Sequence, residues 1–64
     1  MIDQIKTNIK QECKKRGLTI QEICRKLHSD RLYIYRMTDE VKMNKLVRIS
    51  QAIGCNVTDL LNGI

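Results

Sequence analysis

The chain of 64 residues contains no proline, no tryptophan and no phenylalanine, and it contains only three glycines. Because proline and glycine interrupt regular elements, their scarcity favours helices that run until a short stop. A chain of this length buries only about 60% of its unfolded surface, so its stability must come from well-packed helices. The sequence therefore predicts one all-α domain over residues 1–64, with a core of Ile, Leu, Val and Met.

Cysteine and histidine are too few and too widely spaced for a metal site or a disulfide framework. Cys13, Cys24 and Cys55 include no Cys-x-x-Cys pair, and His28 is the single histidine. We expect these cysteines to be small buried side chains in a reducing cytoplasm, with no metal and no other cofactor. With one histidine, no Ser-His-Asp grouping and no Gly-rich phosphate loop, the chain is not expected to be an enzyme.

Long apolar runs are also absent, which argues against a signal peptide or a membrane span and favours a cytoplasmic protein. Charge, in contrast, is abundant and unbalanced: twelve Lys and Arg against seven Asp and Glu give a formal charge of +5. Such an excess favours a polyanionic partner, although many small proteins are basic only for solubility. The basic residues are spread over several helical patterns, so a membrane surface is a weaker explanation than nucleic acid.

Five helical patterns follow one another along the chain, at about 3–16, 19–27, 31–38, 42–53 and 56–61. Thr19 and Glu22 form a capping box at the second pattern, and Asn56 with Asp59 forms a similar pair at the fifth. Gly17 and Gly54 follow two of the patterns as stops. The side chains expected to face the core in the third and fourth patterns are Ile34, Met37, Met43, Leu46, Val47, Ile49 and Ile53.

The second and third patterns are short and are joined by a break of three residues, 28–30. A pair of this kind, whose second member exposes arginine and tyrosine, is typical of a helix-turn-helix. The segment 17–27 (GLTIQEICRKL) resembles the second helix of the Cro/C1-type (XRE) helix-turn-helix family, and the segment 49–61 (ISQAIGCNVTDLL) resembles that family's closing helices. The resemblance implies a compact five-helix lambda-repressor-like bundle, with helices 2 and 3 as the helix-turn-helix.

The resemblance implies DNA contacts for all of the following residues except Tyr33 and Tyr35, which are added because their hydroxyl groups can donate hydrogen bonds to DNA. Base contacts are expected from Arg31, Leu32, Tyr35 and Arg36, and phosphate contacts from Thr19, Tyr33, Lys42, Asn44 and Lys45. Each residue has a simpler explanation as well: the arginines and Leu32 as ordinary surface residues, and the tyrosine rings as covers for the edge of the core. Asp30 is expected to cap the third helix or to accept from cytosine, and the row Lys6, Lys10 and Lys14 to face DNA or only solvent.

The sequence departs from the family pattern at several of these positions. Ile20 stands where the family often has glutamine, and His28 and Ser29 replace a glycine and an apolar residue in the turn. Tyr33 and Tyr35 replace small polar residues. The resemblance implies a sequence-specific DNA-binding transcriptional regulator of bacterial or phage type. Because one recognition helix covers only a few base pairs, a homodimer is expected, formed in solution or only on DNA. The alternative is an antitoxin or antirepressor that uses the same fold to bind a regulatory protein partner, since aromatic residues suit protein interfaces.

Overall fold

A computed structural model describes all of residues 1–64. It contains four α-helices and no strand. They are α1 (Ile2–Lys15), α2 (Ile20–Lys26), α3 (Met43–Ile53) and α4 (Val57–Leu60). The molecule measures 25 × 22 × 17 Å. The all-α prediction is confirmed, whereas the prediction of five helices is wrong. None of the four helices has the length and the apolar character needed to cross a membrane.

The first helix turns one apolar stripe to the core. Ile5, Ile9 and Cys13 recur every four residues and are almost completely buried. The helix ends before Gly17, whose φ of +67° belongs to the left-handed region that suits glycine. This turn allows the Leu18 amide to donate to the Cys13 carbonyl at 2.9 Å, which closes the end of the helix.

The second helix begins at the predicted cap. The Thr19 hydroxyl accepts a hydrogen bond from the Glu22 amide at 3.1 Å, and the Glu22 carboxylate in turn accepts from that hydroxyl at 3.3 Å. Ile23 and Cys24 lie on the inner face of α2 and are buried in the core. The helix stops before His28, the only residue other than glycine with a positive φ, +56°. This is the position at which the family pattern has glycine.

The predicted third helix is not an α-helix. Residues 31–36, called here the turn segment, form consecutive turns. Tyr33 and Met37 donate to carbonyls three residues back, and Arg36 makes the one bond that spans four residues, to the Leu32 carbonyl at 2.9 Å. Tyr33, Ile34 and Tyr35 are weaker helix formers than Ala, Leu or Lys, and the Asp30 side chain holds the Leu32 amide in a turn instead. Burial of Ile34 and Met37 holds the segment in place, as predicted for these two core residues.

The third helix supplies three of the eleven core residues, as many as α1. Leu46, Ile49 and Ile53 are buried at helical spacing, and Gly54 ends the helix at a φ of +92°. The prediction that Met43 faces the core is wrong, since it is 53% exposed. Met43 lies in the first turn, beyond the edge of the core, and Val41 packs there instead.

The last helix is joined to the first by a buried amide. The Asn8 side chain donates to the carbonyls of Leu60 at 3.0 Å and Asn62 at 2.7 Å, and its oxygen accepts from Gln4 at 2.9 Å. Asp59 accepts from the Asn56 amide at 3.0 Å, as the predicted cap requires. Together the helices enclose one core of eleven buried residues, to which Cys13 and Cys24 belong while Cys55 packs at its edge.

Candidate nucleic-acid interface

A cleft rich in cations separates the turn segment from the beginning of α3. Its volume is about 440 Å³. Four of its ten lining residues are cationic and one is acidic, so the cleft offers a strongly positive surface to an anion. The lining residues are Tyr33, Arg36, Met37, Thr38, Glu40, Val41, Lys42, Asn44, Lys45 and Arg48.

The α3 side of this cleft follows from helical spacing. Arg48 follows Asn44 by four residues and Lys45 by three, so it shares a face of the helix with each of them, and all three line the cleft. Leu46 and Ile49 anchor the opposite face in the core. Lys42 precedes the helix with an extended backbone, which directs it to the same cleft. The lysine Nζ of Lys45 lies 4.1 Å from the centre of the Tyr33 ring, so the two walls of the cleft meet through a cation–π contact.

The second tyrosine of the turn segment contacts α1 instead. The Lys6 Nζ donates to the Tyr35 carbonyl at 2.8 Å, and the Lys10 Nζ lies 5.5 Å from the centre of the Tyr35 ring. Neither lysine lines the cleft. Tyr33 therefore contacts a lysine of α3, and Tyr35 contacts lysines of α1. The turn segment has cations on more than one side.

Asp30 holds the backbone at the start of the turn segment. One carboxylate oxygen accepts from the Leu32 amide at 2.8 Å, and the other pairs with the Arg36 guanidinium at 3.1 Å. The Asp30 and Arg36 side chains are 60% and 65% exposed, so water screens the ion pair and it contributes little to stability. Arg36 thus remains within reach of a stronger anion.

The structure brings five of the nine predicted DNA-contacting residues into the cleft: Tyr33, Arg36, Lys42, Asn44 and Lys45. The other four lie outside it. Arg31, Leu32 and Tyr35 are exposed on the turn segment, and Thr19 is exposed at the cap of α2.

Arg48 is not among the residues that the sequence predicts for the interface, and the sequence alone leaves the role of Lys6 and Lys10 open. Arg48 follows Lys45 by three residues, so helical spacing alone was a sufficient signal. Lys6 and Lys10 were visible as a row, but nothing local indicated that the row lies beside Tyr35. That contact joins residues 29 positions apart in the chain.

A separate group of polar side chains lies away from the cleft. Glu12, Cys55 and Asp59 place their ligand atoms within 4.8 Å of one another. Glu12 is paired with Lys15 and Arg16, each at 2.9 Å, and hydrogen bonds from Lys15 first and Arg16 second lower the pKa of its carboxyl group. Burial raises the pKa of the Cys55 thiol, which disfavours the thiolate that metals bind. Both carboxylates already have partners, because Glu12 pairs with Lys15 and Arg16 and Asp59 accepts from the Asn56 amide. That this group binds no metal stays a prediction.

Comparison with known proteins gives no match to this chain. No protein-family model, no curated protein and no solved structure is significantly similar to it. The resemblance to the Cro/C1-type family rests on the two segments quoted above, and membership of that family stays a prediction.

Proposed function

We propose that the chain is a sequence-specific double-stranded DNA-binding protein of the helix-turn-helix type that acts as a transcriptional regulator. In this proposal α2 supports the turn segment, and the turn segment enters the major groove. The observation that carries the proposal is the cleft, which gathers five residues assigned to DNA contacts on independent sequence grounds and adds Arg48.

The two walls of the interface suit different parts of DNA. Lys42, Lys45 and Arg48 on the α3 side are suited to phosphate oxygens, which fix orientation without reading sequence. The exposed side chains of the turn segment are suited to base edges. Arg31 and Arg36 can each donate two hydrogen bonds to guanine, and Leu32 can contact a thymine methyl group.

The size of the domain suits binding by two copies. A single short recognition element covers only a few base pairs, and helix-turn-helix dimers read half-sites about 34–36 Å apart on the duplex. The longest dimension of this domain is 25 Å. Two copies therefore fit side by side on one face of DNA without overlap, as a homodimer or as neighbours assembled on the operator.

The first test is selection from a randomised duplex library with the intact protein, followed by anisotropy titration of the selected duplex at two salt concentrations. We expect an enriched palindrome that binds at least about 10³-fold more tightly than scrambled DNA, with affinity that falls steeply as salt rises. Weak binding of every duplex without enrichment would contradict the proposal.

Two variants separate base reading from phosphate binding. Arg31→Ala is expected to relax preference at one base pair by about 1–3 kcal/mol, whereas Lys45→Ala weakens all duplexes by a similar factor. Lys26→Ala is the matched control, because Lys26 is an exposed lysine that contacts the Ala52 carbonyl near the far end of α3 from the cleft. Equal effects of Arg31→Ala and Lys45→Ala on every sequence would remove the assignment.

A second candidate function is a protein-binding module of the antitoxin or antirepressor kind. The observation that favours it is the exposure of Leu32 and Tyr35, which are 41% and 47% exposed on the same turn segment. Tyrosine is enriched among the residues that dominate binding at protein interfaces, and an exposed leucine beside it adds apolar surface. Binding of a protein partner that Leu32→Ala abolishes, together with no specific duplex in the selection, would favour this function over DNA binding.

A further inference from the structure

The lysines of α1 form a second basic surface beside the turn segment. Lys6 contacts the Tyr35 carbonyl and Lys10 approaches the Tyr35 ring, and Lys14 continues the row one turn further along α1. This surface, defined by Lys6, Lys10 and Lys14, shares no residue with the cleft. The turn segment therefore has α3 cations next to Tyr33 and α1 cations next to Tyr35.

None of these three lysines is neutralised by an ion pair. The ion pairs of the structure join Lys15 and Arg16 to Glu12, and Arg36 to Asp30. The acids of α1 are Asp3 in its first turn and Glu12, which is buried and already paired. The Lys6 ammonium group donates only to a neutral carbonyl, which is a weaker partner than a phosphate oxygen.

We propose that Lys6 and Lys10 bind phosphates of one DNA strand while Lys42, Lys45 and Arg48 bind phosphates of the other strand, so that the turn segment is held between them. This inference rests on the proposed function and extends its interface to α1. The major groove is about 12 Å wide and admits an α-helix or a two-stranded ribbon, so it has room for an element of six residues in consecutive turns. Cations on the two sides of such an element meet the two backbones that border the groove.

The experiment compares the salt dependence of binding for Lys6→Ala/Lys10→Ala with that of the unmodified protein on the selected duplex. Removing one phosphate-binding cation lowers the slope of log affinity against log salt by about 0.9, so the double variant is expected to lower it by about 2. Affinity should fall by a similar factor, roughly tenfold or more, for specific and scrambled duplexes alike. Lys26→Ala, which also removes a lysine bonded to a backbone carbonyl, should leave the slope unchanged.

Phosphate substitution then assigns each group of lysines to a strand. Single methylphosphonates are placed around the site, and each is titrated with the unmodified protein, with Lys6→Ala/Lys10→Ala and with Lys42→Ala/Lys45→Ala. A methylphosphonate should no longer weaken binding when the lysines that contact that phosphate have been removed. We expect the phosphates that become insensitive in Lys6→Ala/Lys10→Ala to lie on one strand. Those that become insensitive in Lys42→Ala/Lys45→Ala should lie on the other strand. Identical patterns for the two variants would overturn the inference.

The two proposals fail in different ways. If the unmodified protein binds no duplex, both fail; if it binds specifically and the α1 variant keeps its slope, only the role of α1 fails. Lys6→Arg/Lys10→Arg should keep the slope because it keeps both charges. Should the double alanine variant unfold, Lys10→Ala alone leaves the Lys6 hydrogen bond intact and is expected to lower the slope by about 1.

Discussion

The second helix and the turn segment begin alike and end differently. Each follows a side-chain cap: Thr19 accepts from the Glu22 amide at 3.1 Å, and Asp30 accepts from the Leu32 amide at 2.8 Å. Each is also anchored by one isoleucine with no exposed surface, Ile23 in α2 and Ile34 in the turn segment. Only α2 continues as an α-helix.

The difference lies in the reach of the cap and in the residues that follow it. Thr19 bonds an amide three residues ahead, which is the geometry of a helix start. Asp30 bonds an amide two residues ahead, as in an Asx turn, and its other oxygen pairs with Arg36. Burial and a cap are therefore not sufficient for a helix; the Asn56 cap, whose side chain bonds the amide three residues ahead, does begin one although β-branched Val57 and Thr58 follow it.

The largest expected effects test whether the buried isoleucine of the turn segment stabilises the protein as much as the buried isoleucine of α2. Ile23→Ala and Ile34→Ala should each lower the free energy of unfolding by about 2–5 kcal/mol, because both side chains are completely buried. Urea denaturation measures both, with Leu32→Ala, an exposed position in the same segment, expected within about 0.5 kcal/mol of the unmodified protein. A cost below about 1 kcal/mol for Ile34→Ala would show that the segment is only loosely packed.

Intermediate effects test the two caps. Thr19→Ala should lower the free energy of unfolding by about 1 kcal/mol, since it leaves a helix amide without its acceptor. Asp30→Ala removes one exposed hydrogen bond and one exposed ion pair, so about 0.5 kcal/mol is expected. Thermal unfolding followed by circular dichroism measures both, and Thr19→Ser should preserve stability. A larger loss of stability for Asp30→Ala than for Thr19→Ala would reverse the comparison.

The smallest expected effect concerns His28, the residue between the two regions. His28 adopts a φ of +56°, which costs a residue with a Cβ more than it costs glycine. His28→Gly should raise the free energy of unfolding by about 0.5 kcal/mol, after the larger entropy loss of glycine is subtracted. Gly54→Ala, at a φ of +92°, is the control of opposite sign and should destabilise the protein. A loss of stability on His28→Gly would contradict the prediction.

Sequence patterns were sufficient for α1, α2 and α3, because stripes of apolar residues and local stop signals define each of them. The turn segment was predicted wrongly for a physical reason: Ile34 and Met37 are three residues apart, and both a helix and a series of turns bury such a pair. Met43 was misplaced because helical spacing does not say where the core ends.

The candidate site was predictable only where it is local. Lys42, Asn44 and Lys45 stand together in the sequence, and Tyr33 and Arg36 belong to one short segment, so their grouping in the cleft follows from few elements. The contact of α1 with Tyr35 depends on how distant parts of the chain pack. No periodicity within α1 contains that information.

The amide of Asn8 has a consequence for how the domain unfolds. It joins α1 to carbonyls 52 and 54 residues away, so the two ends of the chain share one buried polar group. Detaching either end exposes that amide to water and replaces these hydrogen bonds by bonds to water, at a net cost of about 0.5–1.5 kcal/mol for each bond. Fraying, which usually begins at termini, is opposed at both ends by the same group, so we expect hydrogen exchange to show α1 and the segment after α4 opening together.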